Sequence, residues 1–169
     1  LNDAKKLILH FKRLMESKKF DSKDLCNYGY WRCFDKDWKQ SDFLNFGKFL
    51  DQNLKVIPQD KLGEISKESG PKIRIGFLSA DILGGHSITY FLKTILSNYD
   101  KDKFEIILLL NNPKEDHLTE SFKHLVDKTI NISKLNNIDA VNQARKLKLD
   151  IIIDLMGYTS TQRLELFKN

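Results

Sequence analysis

The residues best suited to chemistry sit in one turn. His86 follows Asp81 in the run Ser79-Ala80-Asp81-Ile82-Leu83-Gly84-Gly85-His86-Ser87, and an amphipathic stretch begins directly after it. A histidine at the start of a helix feels the positive end of the helix dipole, which favours the neutral imidazole, and a neutral imidazole accepts a proton or donates a hydrogen bond. His86 therefore qualifies as a base, and it qualifies equally as the residue that ends a glycine turn and caps the helix. Asp81 can orient a ligand hydroxyl or tie down the turn as an Asx-type cap, the structural role being the expected one. A second polar run, Gly157, Tyr158, Thr159 and Arg163, offers close backbone approach, hydroxyls and a cation. Arg163 can meet an anionic ligand, Glu165 or a neighbouring domain. Asp154, inside an apolar run, either finds partners or closes its strand. His10, His117 and His124 lie among charges on predicted helices and are expected in solvent, away from both runs.

What is missing narrows the chemistry further. Neither G-x-G-x-x-G nor G-x-x-x-x-G-K-[ST] occurs, so a dinucleotide fingerprint and a P-loop are both absent. The two cysteines, Cys26 and Cys33, are too few for a disulfide framework and wrongly spaced for zinc. They are expected as buried thiols, and no metal or cofactor is implied.

These residues need elements to hold them. Residues 1–60 show no strand pattern. Leu7, Phe11, Leu14 and Met15 recur at helical spacing behind Asp3; Asp24, Leu25, Tyr28, Trp31 and Arg32 continue in a second helix; Phe43, Phe46, Phe49 and Leu50 mark a third, with Ser41 as its expected N-cap. The aromatic excess there (Tyr28, Tyr30, Trp31, Phe34, Trp38, Phe43, Phe46, Phe49) is expected to form core. Glu64 to Pro71 reads as a linker.

The period changes at Lys72. Ile73, Ile75, Phe77 and Leu78 form a strand, and Tyr90, Phe91, Ile95 and Leu96 are expected to be the apolar face of the helix after the Asp81–His86 turn. Phe104–Leu110 is a second strand, Leu118, Phe122, Leu125 and Val126 a helix face, and Thr129–Ile132 a third strand. A helix with Ile138, Val141, Ala144 and Leu147 leads to a fourth strand, Ile151, Ile152, Ile153 and Leu155. Strands apolar on both faces and separated by helices predict a parallel sheet covered on both sides, an α/β doubly wound fold. Right-handed crossovers place the strands in the order 3-2-1-4, so the first and fourth become neighbours and their following turns meet at a switch point, where such sheets bind ligands. The turns after the second and third strands, Asn111–Glu115 and Ser133–Asn137, read as ordinary surface connections.

Composition excludes several classes. At 169 residues, 41% apolar and 30% charged, the chain has an ordinary globular mixture. No apolar run approaches the roughly 18 residues that cross a bilayer, and Leu1 to Lys6 lack the layout of a secretory signal. The net charge of +5 is spread without a basic tract, so neither nucleic acid nor membrane is an expected partner. The expectation is a soluble, cytoplasmic protein. It begins at Leu1 rather than at methionine, and is expected to have been cut from something longer.

At its two polar turns the sequence resembles the SPINDLY-type O-linked N-acetylglucosamine transferases of glycosyltransferase family 41. The resemblance lies in Arg74-Ile75-Gly76-Phe77-Leu78-Ser79-Ala80-Asp81, His86-Ser87-Ile88-Thr89-Tyr90-Phe91-Leu92, Asp102-Lys103-Phe104-Glu105 and Asp150-Ile151-Ile152-Ile153-Asp154-Leu155-Met156-Gly157-Tyr158-Thr159, with Arg163 and Phe167 in register. It covers about residues 72–167. The pattern differs at two points: the interval from Asp81 to His86 is one residue longer than usual, and Met156 stands where the family often has asparagine.

The resemblance implies a Rossmann-like domain, residues 72–169, as the first of two in an inverting, metal-independent GT-B transferase, the second domain lying beyond Asn169. Residues 1–65 then form a helical segment linking to or capping tetratricopeptide-type repeats. It also implies transfer of N-acetylglucosamine from UDP-GlcNAc to Ser or Thr of an acceptor protein, with His86 in the active site as base or positioning residue. Asp81, Gly157, Tyr158, Thr159 and Arg163 then contact substrate, and the fragment alone is expected to be inactive. The alternative is a non-catalytic Rossmann-like module that binds proteins beside helical repeats.

Overall fold

The structure, a computed structural model, describes residues 2–65, 70–159 and 161–168. In chain order the elements are α1 (Asn2–Ser17), α2 (Ser22–Arg32), α3 (Gln40–Asn53), a 3₁₀ turn (Gln59–Lys61), β1 (Ile73–Ser79), α4 (Ser87–Asn98), β2 (Phe104–Leu110), α5 (His117–Lys123), β3 (Lys128–Asn131), α6 (Asn137–Lys146), β4 (Ile151–Asp154) and α7 (Glu165–Lys168). They fall into two compact units, one of residues 1–56 with 157–169 and one of residues 57–156. The sequence places its boundary elsewhere, in the linker of 64–71, whose residues 66–69 lie outside the described set, and it assigns 157–169 to the sheet.

The sheet unit follows its hydrophobic pattern. All strands are parallel, in the order β3-β2-β1-β4, as the crossover argument requires. β1 pairs with β2 from Ile73↔Phe104 to Ser79↔Leu110, and with β4 from Ile75↔Ile151 to Leu78↔Asp154. One parity, Phe77, Ile106, Leu108 and Leu110, packs with Leu92 and Leu96 of α4 and Phe122 of α5. Leu78, Ile107 and Leu109, of the other parity, are also buried, and α6 buries Ala140 and Val141. Both faces are therefore covered, which explains why β2 is apolar at nearly every position. Leu149 approaches closely at Gly76 on the second face: a Cβ there would lie 2.6 Å from Leu149 Cδ1 and would displace that side chain.

Polar pairs lock the amino ends of the strands. The Arg74 N–H donates to Asp150 Oδ2 at 2.7 Å while the Asp150 N–H donates to Arg74 O at 2.9 Å. Arg74 Nε also donates to Glu105 Oε2 across the ladder at 2.8 Å. The motif residues Arg74, Glu105 and Asp150 thus splice β4, β1 and β2 together.

α4 departs from the sequence reading. Its buried residues are Thr89, Leu92 and Leu96, whereas Tyr90, Phe91 and Ile95 are 72%, 70% and 53% exposed. α4 packs inward through Leu92 and Leu96, and that phase turns the larger apolar residues outward.

In the other unit the core is small. Leu25, Cys26, Phe46 and Leu50 are buried, with Tyr28, Trp38, Phe49, Tyr158 and Leu164 packed around them. Gly29 admits the Phe46 ring, since a Cβ there would lie 2.5 Å from Phe46 Cε1. Only part of the aromatic excess is core: Tyr30, Phe34 and Phe43 are exposed, and so is Cys33. The 11-residue α2 buries Leu25, Cys26 and Gly29 on one face; Tyr30 lies off that face, Cys33 and Phe34 follow the end of the helix, and Phe43 belongs to α3. Asp21, not an apolar signal, starts α2 through a capping box with Asp24. α3 starts two residues earlier than an N-cap at Ser41 predicts, with Lys39 as N-cap and Gln40 as first residue, the Lys39 N–H donating to Asp42 Oδ2 at 2.8 Å.

Candidate functional site

The β1–α4 turn is built to hold one imidazole. Ser79 is fully buried and anchors the turn twice: the Asn111 N–H donates to its carbonyl at 2.7 Å, and its Oγ accepts the Asp81 N–H at 3.0 Å. Ile82 is fully buried, Gly85 takes φ +84°, and the His86 N–H closes on Leu83 O at 3.3 Å. The positive φ explains the glycine, because side chains rarely adopt it.

His86 then caps α4. Its Nδ1 accepts the Ile88 N–H at 3.4 Å, and the Thr89 hydroxyl donates to its carbonyl at 2.6 Å. Its Nε2 lies 3.9 Å from Asp81 Oδ2, and the side chain is 48% exposed. These contacts decide the tautomer. A neutral imidazole whose Nδ1 lone pair serves the cap carries its proton on Nε2. Seated this way, His86 presents an N–H donor and not a lone pair, so it accepts a proton only by releasing the cap. The two readings that the sequence leaves open, cap and base, compete for one nitrogen.

The turn after β2 is no ordinary surface connection. Asn112 is 2% exposed, its Nδ2 donates to Lys114 O at 2.6 Å, and its carbonyl accepts the Asn131 Nδ2 at 3.0 Å. Asp116 caps α5 through Oδ1, which accepts the Leu118 and Thr119 N–H groups at 3.0 and 2.9 Å. Its Oδ2 accepts the Gly84 N–H at 2.8 Å. His117 is exposed, as expected, but not remote: with Gly84, Gly85, Thr89, Tyr90 and Lys93 it lines a hollow of about 290 Å³ beside the candidate turn. Sequence reasoning missed Asp116. The available signal was Asp116 three residues before Thr119 at the head of a helix.

β4 ends on a carboxylate. Asp154 Oδ1 accepts the Met156 N–H at 2.9 Å, and the Leu155 N–H extends the ladder to Leu78 O at 3.0 Å. Met156 is 4% exposed, and its sulfur accepts the Asn111 Nδ2 at 3.9 Å. The remaining candidate residues belong to the helical unit. Gly157 takes φ +56°. The Tyr158 ring packs edge-on against Phe46 with centroids 5.8 Å apart, and burial, with Cys33 and Cys26 nearby, pushes its phenol pKa up. The Thr159 and Thr161 hydroxyls are 3.3 Å apart. Burial pushes the Arg163 pKa down while the Glu165 charge opposes that shift, so the Glu165 reading of Arg163 has a physical basis. Among the described residues, no cluster of His, Cys, Asp or Glu is arranged to hold a metal, and no helix is long and apolar enough to cross a membrane.

No family model matches the chain. A protein of Arabidopsis thaliana named "Probable UDP-N-acetylglucosamine--peptide N-acetylglucosaminyltransferase SPINDLY" is 29% identical over 114 residues, 65% of this chain and 12% of that protein. Its namesake in Hordeum vulgare is 31% identical over 115 residues, again 12% of its length. Among solved structures, a mutant O-GlcNAc transferase of Thermobaculum terrenum superposes with a TM-score of 0.81 over 98% of this chain and 32% of its own, at 17% identity. The chain thus has SPINDLY-type O-GlcNAc transferase homologues over about 65% of its length, and its α/β fold matches that of a bacterial O-GlcNAc transferase. It spans 12% of the length of the curated relatives it matches.

Proposed function

We propose that this chain is one wall of the catalytic region of a GT-B glycosyltransferase that moves N-acetylglucosamine from UDP-GlcNAc to Ser or Thr hydroxyls of proteins. The sheet unit contributes His86 and Asp81. Gly157, Tyr158, Thr159 and Arg163 contribute the second substrate-binding run, and most donor contacts come from a further Rossmann-like domain. The helices of residues 1–65 join the region to tetratricopeptide-type repeats. No metal or cofactor enters the reaction. The observation that carries the reading is the β1–α4 turn. It puts an imidazole N–H at the carboxyl end of the strand where the sheet order reverses, in a chain with transferase homologues.

In this reaction the acceptor oxygen forms its bond to the anomeric carbon as the bond to the diphosphate breaks. The hydroxyl proton passes to the departing diphosphate or to water, and negative charge collects on the leaving group. A preorganised N–H donor and the start of a 12-residue helix are suited to hold the acceptor oxygen or that developing charge. His86 so acts by donating and positioning while its cap is intact.

Two measurements test this. Calorimetric titration of the 169-residue chain with UDP-GlcNAc is expected to give a dissociation constant no tighter than about millimolar, because one wall supplies few donor contacts. In the intact transferase, His86→Ala is expected to lower turnover by roughly two to three decades, the loss of one preorganised donor, with the fold retained. Micromolar binding by the chain alone would put the donor site here and defeat the two-domain reading. A second reading, a non-catalytic module that binds proteins, is favoured by the outward Tyr90, Phe91 and Ile95. Near-normal transfer by His86→Ala would make His86 structural, and an intact protein unable to transfer would select that second reading.

A further inference from the structure

The turn that carries His86 is held from outside itself, by the head of α5. Thr119 is fully buried, and its hydroxyl donates to Ile82 O at 2.6 Å, 37 residues away in sequence. Two residues further along the turn, the Gly84 N–H donates to Asp116 Oδ2 at 2.8 Å. A Cβ on Gly84 would lie 3.2 Å from that same oxygen, closer than ordinary van der Waals contact. Asp116 and Thr119 are also tied to each other, the Asp116 N–H donating to Thr119 Oγ1 at 3.2 Å and the Thr119 N–H to Asp116 Oδ1 at 2.9 Å. The last residues before His86 are therefore pinned at a carbonyl and at an amide, and the free stretch between the second pin and the imidazole is Gly85 alone.

We infer that Asp116 and Thr119 are positioning residues for His86: they touch no substrate, and they hold the turn so that the imidazole reaches the acceptor side of the site. The inference rests on the transferase reading for its consequence and on the geometry for its mechanism. The Asp116 carboxyl is also held down to about 2, first by the Gly84 N–H and then by the Thr119 N–H, so both oxygens accept throughout the neutral range.

Each carboxylate oxygen has a separate task, and that makes the inference testable. Asparagine has one acceptor oxygen, which suffices to cap α5, and its amide N–H₂ then faces the Gly84 N–H, donor against donor. Asp116→Asn accordingly keeps the helix start and releases the turn. In the 169-residue chain, NMR is expected to show Gly84 amide exchange faster by about tenfold or more, with the α5 amides still protected. The His86 ring resonances are expected to shift or broaden.

In the intact transferase the same substitution is expected to lower kcat by about tenfold to a hundredfold with the donor KM within about twofold, the pattern of a misplaced group. Thr119→Val is expected to behave likewise, and Thr119→Ser, which restores the hydroxyl, to recover most of the turnover. Unchanged Gly84 exchange and His86 resonances in Asp116→Asn would overturn the inference, as would unchanged kcat in an active transferase. If wild-type protein transfers nothing while Gly84 and His86 respond as expected, the transferase reading fails and the pinning of the turn stands.

Discussion

The two units use their hydrophobic residues differently. In the sheet unit nearly every residue of β2 is buried, because a parallel strand with helices on both sides has no outer face to waste. In the helical unit eight aromatics stand within 22 residues of chain, from Tyr28 to Phe49, yet only Phe46 is buried below a tenth. Three short helices cannot enclose that many rings. Dense hydrophobicity thus specifies position where the backbone period leaves one solution, and leaves it open where aromatics outnumber the inner positions of a helix.

The comparison breaks most readily at Phe46. Phe46→Ala is expected to destabilise the helical unit by about 3–5 kcal/mol, because the ring meets Tyr28, Trp38 and Tyr158 together. Denaturant melts followed by Trp fluorescence measure this, and a loss under about 1 kcal/mol would mean that the ring cluster is not a core. Gly29→Ala drives a methyl into the same ring and is expected to cost about 1–3 kcal/mol in the same melts.

A smaller effect sharpens the sheet side. Asp116 titrates near 2 when folded and at its ordinary 3.8 when unfolded, so the stability it adds is complete above about pH 4 and disappears as pH falls toward 2. Thermal melts of wild type and Asp116→Asn are expected to differ at neutral pH and to converge across that window. A difference that persists to pH 2 would assign the effect to something other than the carboxylate charge. The smallest effect is expected at Tyr90 and Phe91, where substitution by serine should change stability by no more than about 0.5 kcal/mol, despite their apolar character.

Tyr90 and Phe91 also show where the sequence stops being legible. Strand order followed from the unbroken apolar runs of 106–110 and 151–153 and from the handedness of crossovers, so the place of His86 at the carboxyl end of β1 was readable in advance. The phase of α4 was not. Its large apolar residues suggest one face, while the residues that pack inward, Thr89, Leu92 and Leu96, define another, about one position away. Asp116 was hidden for a different reason: its local pattern identifies a helix cap, and only the fold brings its second oxygen to Gly84. The run from Gly157 to Arg163 reads as ligand chemistry because its residue types are polar. Tyr158 nonetheless commits its ring to Phe46, and packing of that kind leaves no trace in spacing.

Gly157 has one more consequence. Its φ of +56° comes with open space around the missing Cβ, which would meet nothing within 4 Å. Among the described residues a methyl here is thus opposed by handedness and not by contact. A set of variants here should rank by the ease with which an L-residue turns left-handed, asparagine and aspartate ahead of alanine, and alanine ahead of valine, at a cost of order 1 kcal/mol for alanine. Where the chain passes from the sheet unit into its last segment, it is constrained by handedness and not by fit.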